Sequence, residues 1–347
     1  MTEVSPIIDV RNLSMKFDRV KGFRRSVIGQ VVAVDDVSFT VNEGETLALV
    51  GESGSGKTTT GRCLVRAIEP SAGNVFYRQG DSSVDVLALE RRELNEVRRK
   101  MRMVFQDPFA SLNPRMTVEQ LIAEPLYINN VVSDRTEARA KVAELLEMVQ
   151  LDPQLMSRYP HTFSGGQRQR IAIARTLSLE PQVVIADEPV SALDVSIQAQ
   201  ILNLLKELQR ERQLTYLFIS HDLAVVRYQS DRIAIMYLGR IVEISTRDEI
   251  FERPLHPYTQ LLLASSPIPD PRMKRIRPET IGEVPDPANR PSGCAFNTRC
   301  PYATDICRSE VPQLKESGTA GEAHLVACHL WEAVELSQRP LEALDGS

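Results

Sequence analysis

The residues 51–59, Gly51-Glu52-Ser53-Gly54-Ser55-Gly56-Lys57-Thr58-Thr59, combine three glycines, one lysine and adjacent threonine hydroxyls in a G-x-x-x-x-G-K-T spacing. Those residue types suit triphosphate binding. Glycines let the backbone curl so that successive N–H groups face inward and cradle phosphate oxygens. Lys57 reaches toward the β- and γ-phosphates, and the Thr58 hydroxyl suits Mg²⁺. The pattern carries weight only when a strand precedes it and a helix follows. Here Thr46-Leu47-Ala48-Leu49-Val50 reads as a short buried parallel strand, and Gly61 to Ile68 as the start of a helix. A nucleoside triphosphate is the expected ligand.

Further along, Val183-Val184-Ile185-Ala186 ends in Asp187-Glu188. A buried strand of this kind delivers its acids to the C-terminal edge of a sheet, where α/β sites lie. Asp187 is placed to bind Mg²⁺ through water, and Glu188 to orient and deprotonate an attacking water. A third strand, Thr215 to Ser220, delivers His221 to the same edge, as a γ-phosphate contact. Gln106 closes the short run Met103-Val104-Phe105 and is suited to hold Mg²⁺ or a water. Ser164-Gly165-Gly166-Gln167 opens a long helical pattern reaching Leu179, which suits either a second anion-binding helix N-terminus or a simple cap.

The elements around these residues follow from periodicity. Ile7 to Val10 and Ala33 to Phe39 read as strands, with a polar loop from Asp18 to Gln30 between them. Phe17, beside that loop, suits stacking on a purine ring or packing in the core. Glu90 to Met101 reads as a charged helix. Between 115 and 160, Val142, Leu145, Leu146 and Val149 share one helix face, with Asp134 and Glu137 as its N-terminal cap. Ile197, Ile201, Leu204, Leu205 and Leu208 form the buried side of the helix after Asp194.

The 347 residues suffice for one large α/β domain and a smaller one. A net charge of −5 argues against nucleic acid as a partner, and the apolar fraction of 42% is ordinary. No apolar run approaches the ~20 residues that span a bilayer. The expectation is a soluble cytoplasmic chain that reaches membranes only through partners.

In this order the motifs resemble the ATP-binding subunit of an ABC transporter, over residues 5 to 250. Phe163-Ser164-Gly165-Gly166-Gln167 is similar to that family's LSGGQ signature, with Phe where Leu is commoner, and Ser191 to Asp194 to its D-loop. The resemblance implies an α/β P-loop fold with a RecA-like core, an antiparallel β subdomain and a helical subdomain inserted at about 107–163. It implies ATP and Mg²⁺ at Phe17, Ser53, Gly54, Ser55, Gly56, Lys57, Thr58, Thr59, Gln106 and Asp187. Thr58, Gln106 and Asp187 would be the metal ligands, and Glu188, His221 and Gln106 the catalytic residues. Two such chains would pair head to tail, so that Ser164, Gly165, Gly166 and Gln167 meet the nucleotide of the partner.

The tail is proline-rich, with ten of the 21 prolines between Pro254 and Pro301. His256 to Leu262, Ser266 to Pro271 and Pro291 to Pro301 resemble the C-terminal extension, here 251–347, of oligopeptide/dipeptide importer ATPases. That resemblance implies two membrane permease subunits, an extracytoplasmic solute-binding protein and a second, homologous ATPase, at the cytoplasmic face of the membrane. A soluble ABC ATPase acting on ribosomes or DNA, and an iron–sulfur switch protein, are the alternatives. Four of the five cysteines, Cys294, Cys300, Cys307 and Cys328, lie in this tail. In a reducing compartment they suit a [4Fe–4S] cluster, structural zinc or free thiols. The absence of a C-x₂-C pair argues against zinc, and Cys300-Pro301 resembles ferredoxin ligation. His324 and His329 are further candidate zinc ligands, and Cys63 a small core residue.

Overall fold

The computed structural model describes residues 6–21, 26–106, 111–265, 285–286, 288–317 and 323–336. Its framework is an eight-stranded mixed sheet and a four-stranded antiparallel sheet. The antiparallel sheet runs β2 (Ser26–Val41), β1 (Ile8–Lys21), β4 (Ala72–Gln79), β5 (Ser82–Asp85). The polar stretch expected as a loop is therefore mostly strand: Asp18 pairs with Gln30 and Phe17 with Val31 across the β1–β2 ribbon. Its sequence does not alternate apolar with polar residues, so no period of two betrays the strands and it reads as loop.

The larger sheet is ordered β11 (Lys315–Glu316), β12 (Leu325–Val326), β10 (Arg240–Thr246), β9 (Arg232–Tyr237), β3 (Thr46–Val50), β8 (Thr215–Ser220), β7 (Val183–Asp187), β6 (Met101–Val104). The strands from β9 to β6 pair in parallel. β3, β7 and β8 are buried along their whole length, as their unbroken apolar runs require when both faces are covered. Leu47, Leu49, Ile185 and Ile219 pack with Cys63 and Leu64 of α1 (Lys57–Leu64) on one face. Helix α2 (Arg91–Lys100) follows, as its charge pattern predicts, and ends where β6 begins.

α3 (Val118–Ile128) and α4 (Arg135–Met148) share one apolar cluster with α5 (Gly165–Leu177). Asp134 caps α4 by accepting from the N–H groups of Thr136 and Glu137 at 2.7 and 3.0 Å. Val142, Leu145, Leu146 and Val149 are all buried there, each contributing about 1.5–3 kcal/mol of apolar burial. In α6 (Val195–Arg212) the expected face is buried from Ile201 to Leu208, whereas Ile197 is only partly covered and turns to α5.

The extension docks on β10 through Glu243, which is fully buried. Its carboxylate accepts from the N–H groups of Leu255 and His256 at 2.7 and 3.0 Å and lies 2.7 Å from Nε2 of His324. His324, a candidate zinc ligand by sequence, is thus a buried residue paired with Glu243. Burial pushes His256 down to about 4, so at neutral pH it is an uncharged acceptor for the N–H of Tyr258. α7 (Leu223–Gln229), α8 (Arg247–Glu252), α9 (Pro257–Ser265), α10 (Asp305–Ser309) and α11 (Trp331–Leu336) complete the described helices. The segment Ser266 to Pro271, which entered the sequence reading, lies outside the described residues.

Candidate nucleotide site

Parallel register brings the candidate residues together. Val50 of β3 is level with Ser220 of β8, Ile219 with Asp187 of β7, and Ala186 with Val104 of β6. One residue past these levels come Gly51, His221 and Glu188, and Gln106 lies two past Val104. Four loops distant in sequence therefore open at one sheet edge.

The loop between β3 and α1 is shaped by close backbone approach. Gly56 has φ 104°, and a Cβ there would stand 2.2 Å from the carbonyl oxygen of Ala33 on β2. No other residue type fits that position. Helix α1 begins directly after it, at Lys57, one turn earlier than the sequence reading placed it. The Lys57 ammonium is 5% exposed and donates to the carbonyls of Gly51 and Glu52 at 2.7 and 2.9 Å. Burial pushes its pKa down, against the opposing pull of Glu188, Asp187 and Glu52. A desolvated ammonium of this kind gains more from a polyanion than a solvated one does.

Thr58 and Asp187 meet: the threonine hydroxyl donates to the carboxylate at 2.8 Å. Asp187 is 1% exposed, and burial raises its pKa although the Thr58 bond and the charges of Arg62 and Lys57 oppose that shift. The pair offers the oxygen donors that Mg²⁺ prefers. Gln106 is turned elsewhere. Its Nε2 donates to Glu188 Oε2 at 2.7 Å, while His221 Nδ1 lies 3.0 Å from Glu188 Oε1. Glu188 is held between the two. It occupies the left-handed region at φ 46°, a conformation costing about 1–3 kcal/mol for a residue with a side chain. Its N–H donates to Ile219 and its carbonyl accepts from the Ser191 hydroxyl, at 2.9 and 3.1 Å, which fixes the turn.

Phe17 is 40% exposed on the β1–β2 ribbon, opposite Val31 and two residues from the Ala33 carbonyl that touches the loop. It is not a core residue. Ser164 and Gln167 form a reciprocal capping box on α5, Gln167 N–H to Ser164 Oγ at 3.3 Å and Ser164 N–H to Gln167 Oε1 at 3.1 Å. Both sequence readings of this turn are therefore compatible with its geometry. A Cβ on Gly166 would stand 2.4 Å from Ile197 Cγ2, so the start of α6 packs on the glycine turn.

Comparison with known proteins completes the picture. Residues 34–191 match the family described as ABC transporter, and residues 242–307 the one described as oligopeptide/dipeptide transporter, C-terminal region. The oligopeptide transport ATP-binding protein AppF of Bacillus subtilis is 51% identical over 328 residues, 94% of this chain and 97% of its own length. This chain belongs to the ABC transporter ATPase family. A probable peptide ABC transporter ATP-binding protein of Sinorhizobium fredii, y4tS, is 50% identical over 93% of this chain and 90% of its own length. Among solved structures, the ABC cassette MJ0796, a dimer bound to ADP and Pi, superposes with a TM-score of 0.60 at 27% identity. It covers 69% of this chain and 98% of its own. As an ABC ATPase the chain takes ATP and Mg²⁺, toward which the phosphate-binding loop and the Thr58–Asp187 pair present donors and oxygens.

The cysteines are the remaining candidates. Cys294, Cys300, Cys307 and Cys328 line one small cavity with His256, Phe296, Asn297 and His329. Among the described residues, however, no group of three or more His, Cys, Asp or Glu is arranged around a single ion position. Zinc at about 2.3 Å from each sulfur would need sulfurs within about 4 Å of one another, so the zinc geometry is not formed. Burial pushes Cys300 up to about 11 and Cys328 up to about 12, and raises Cys294. Such thiols ionise only beside a strong positive charge. Cys63 is fully buried in the core, as expected.

Proposed function

We propose that this chain is the ATP-hydrolysing subunit of an importer for peptides, one of two cassettes acting on two membrane permease subunits fed by an extracytoplasmic solute-binding protein. The observation that carries the reading is the joint presence of the in-register ATP site and an extension matching oligopeptide/dipeptide transporters over residues 242–307. The named relatives AppF and y4tS support peptides as cargo. The second cassette is a different, homologous chain. Residues 1–250 form the ATPase unit, with the helical part at about 107–163, and 251–347 the extension. The described residues include no helix long and apolar enough to cross a membrane, so attachment at the cytoplasmic face runs through the permeases.

In hydrolysis, Ser53 to Thr59 wrap the phosphates and Phe17 stacks on the base. Glu188 takes a proton from water as its oxygen attacks the γ-phosphorus and the bond to the bridging oxygen of ADP breaks. His221 keeps Glu188 oriented through Nδ1, leaving Nε2 for the γ-phosphate. Mg²⁺, when bound, neutralises charge on the β- and γ-oxygens. Ser164, Gly165, Gly166 and Gln167 contact the nucleotide held by the partner cassette, presenting to it the N-terminus of α5. Gln106, bonded to Glu188, links the site to the helical part and so to the permease.

A strain lacking this chain should lose uptake of short peptides, regained with the wild-type gene and not with Glu188→Gln. Undiminished uptake, with ATP hydrolysis retained by the purified chain, would overturn the peptide reading and leave the ATPase reading standing.

On the same reading, Cys294, Cys300, Cys307 and Cys328 hold a [4Fe–4S] cluster. A cubane spreads its four thiolates over four irons, which fits cysteines around one cavity without a single-ion geometry. The cluster would cross-link separate segments of the extension. Anaerobic purification should yield about four iron and four sulfide per chain, lost in Cys300→Ser and Cys307→Ser. Zinc in their place would make the tail a structural clip, and no metal at all would refute the assignment.

A further inference from the structure

Glu52, the second residue of the phosphate-binding loop, has every polar group engaged. Its carboxylate meets Arg299 of the extension: Nη1 lies 3.3 and 3.0 Å from the two oxygens and Nη2 3.3 Å from Oε1. Its N–H donates to the Tyr258 hydroxyl at 2.9 Å. Its carbonyl accepts from Lys57 at 2.9 Å. The carbonyl also accepts from the Ser55 N–H at 3.2 Å, so two of the four partners come from the extension and a third is the lysine expected to bind phosphate.

The extension holds these partners rigidly. Arg299 is 7% exposed and Tyr258 fully buried. Tyr237, Tyr258 and Phe296 form a ring cluster with centroids 4.5 to 5.5 Å apart. The guanidinium sits 5.8 Å from the rings of Tyr237 and Phe296 and also donates to the Tyr237 hydroxyl at 3.4 Å. A planar, bidentate cation boxed by aromatic rings has little freedom to follow a moving carboxylate.

We propose that Arg299, seconded by Tyr258, is a positioning residue for ATP binding, acting on the phosphate-binding loop through Glu52. Two physical effects combine. A carboxylate on this loop repels a triphosphate, and the buried guanidinium cancels that charge. The paired side chain and the tethered N–H also set the Glu52 carbonyl, and with it the place of Lys57. The extension is thereby part of the nucleotide site and not only an appendage to it. The sequence reading singled out neither residue, although Arg299 immediately precedes Cys300-Pro301 and Glu52 interrupts the glycines. The proposal rests on the assignment of residues 51–58 as the phosphate-binding loop.

The test is ATP affinity of the full chain, read with a fluorescent ATP analogue and Mg²⁺, beside KM and kcat. Arg299→Met should raise Kd and KM about tenfold with a smaller change in kcat, as expected for loss of one charged hydrogen-bonded pair. Glu52→Gln in that background should restore affinity to within about threefold of wild type, because the repelling charge is gone. Arg299→Lys, with one point charge for two oxygens, should fall between. Tyr258→Phe, which keeps the ring packing, should raise Kd about threefold and serves if Arg299→Met does not fold. A melting temperature that falls while Kd stays within twofold of wild type would overturn the proposal, as would simple addition of the Glu52 and Arg299 effects. If Lys57→Ala also left Kd unchanged, the loop assignment itself would be at fault.

Discussion

Glu188→Gln should lower kcat for ATP hydrolysis by about 10³-fold while leaving ATP bound. The substitution keeps the shape of the side chain and an acceptor for Gln106, whose Nε2 bonds Glu188 Oε2 at 2.7 Å. It removes the role proposed for the carboxylate, taking a proton from water. On the proposed reading, ATP binding relies on a different set of groups, the loop N–H donors, Lys57 and the Thr58–Asp187 pair. Binding and turnover should therefore separate. Phosphate release measures the second, and a nucleotide-retaining dimer on gel filtration the first. A kcat within tenfold of wild type would place the base elsewhere, since His221 is the only other titratable group bonded to Glu188 among the described residues.

Lys57→Ala should weaken ATP binding by about 100-fold, the value of a charge-assisted contact to phosphate in a desolvated site. Stability should change less. Among the described residues Lys57 bonds only backbone carbonyls of its own loop and the nearby Ser55, and burial already pushes its pKa down. Removing a buried ammonium relieves a desolvation cost that its contacts only partly offset. Titration with a fluorescent ATP analogue reads the affinity, and thermal melting the stability. An unchanged affinity would mean that residues 51–58 do not hold phosphate.

These two expectations were open to sequence reasoning because the residues carry their chemistry in type and spacing. The helix after the loop was misplaced by a turn for a local reason: Gly56, Lys57 and the threonines look like loop, and only the approach of Gly56 to Ala33 shows that the helix starts there. The middle of the β1–β2 ribbon reads as loop because apolar and polar residues do not alternate between Asp18 and Gln30. A period of two is visible only where one face is buried.

By itself the sequence determined the short apolar strands, the glycine turns, the acid pair at the end of β7, the histidine at the end of β8 and the four cysteines of the tail. Each is local, so each is written in consecutive residues. What the sequence could not show is which of these groups meet. Parallel register puts Gln106, Glu188 and His221 in one hydrogen-bonded line. Docking on the buried Glu243 carries Arg299 and Tyr258 to the phosphate-binding loop from more than 200 positions away. Contacts at that separation depend on how the strands and the extension pack together, and no window of neighbouring residues encodes that packing.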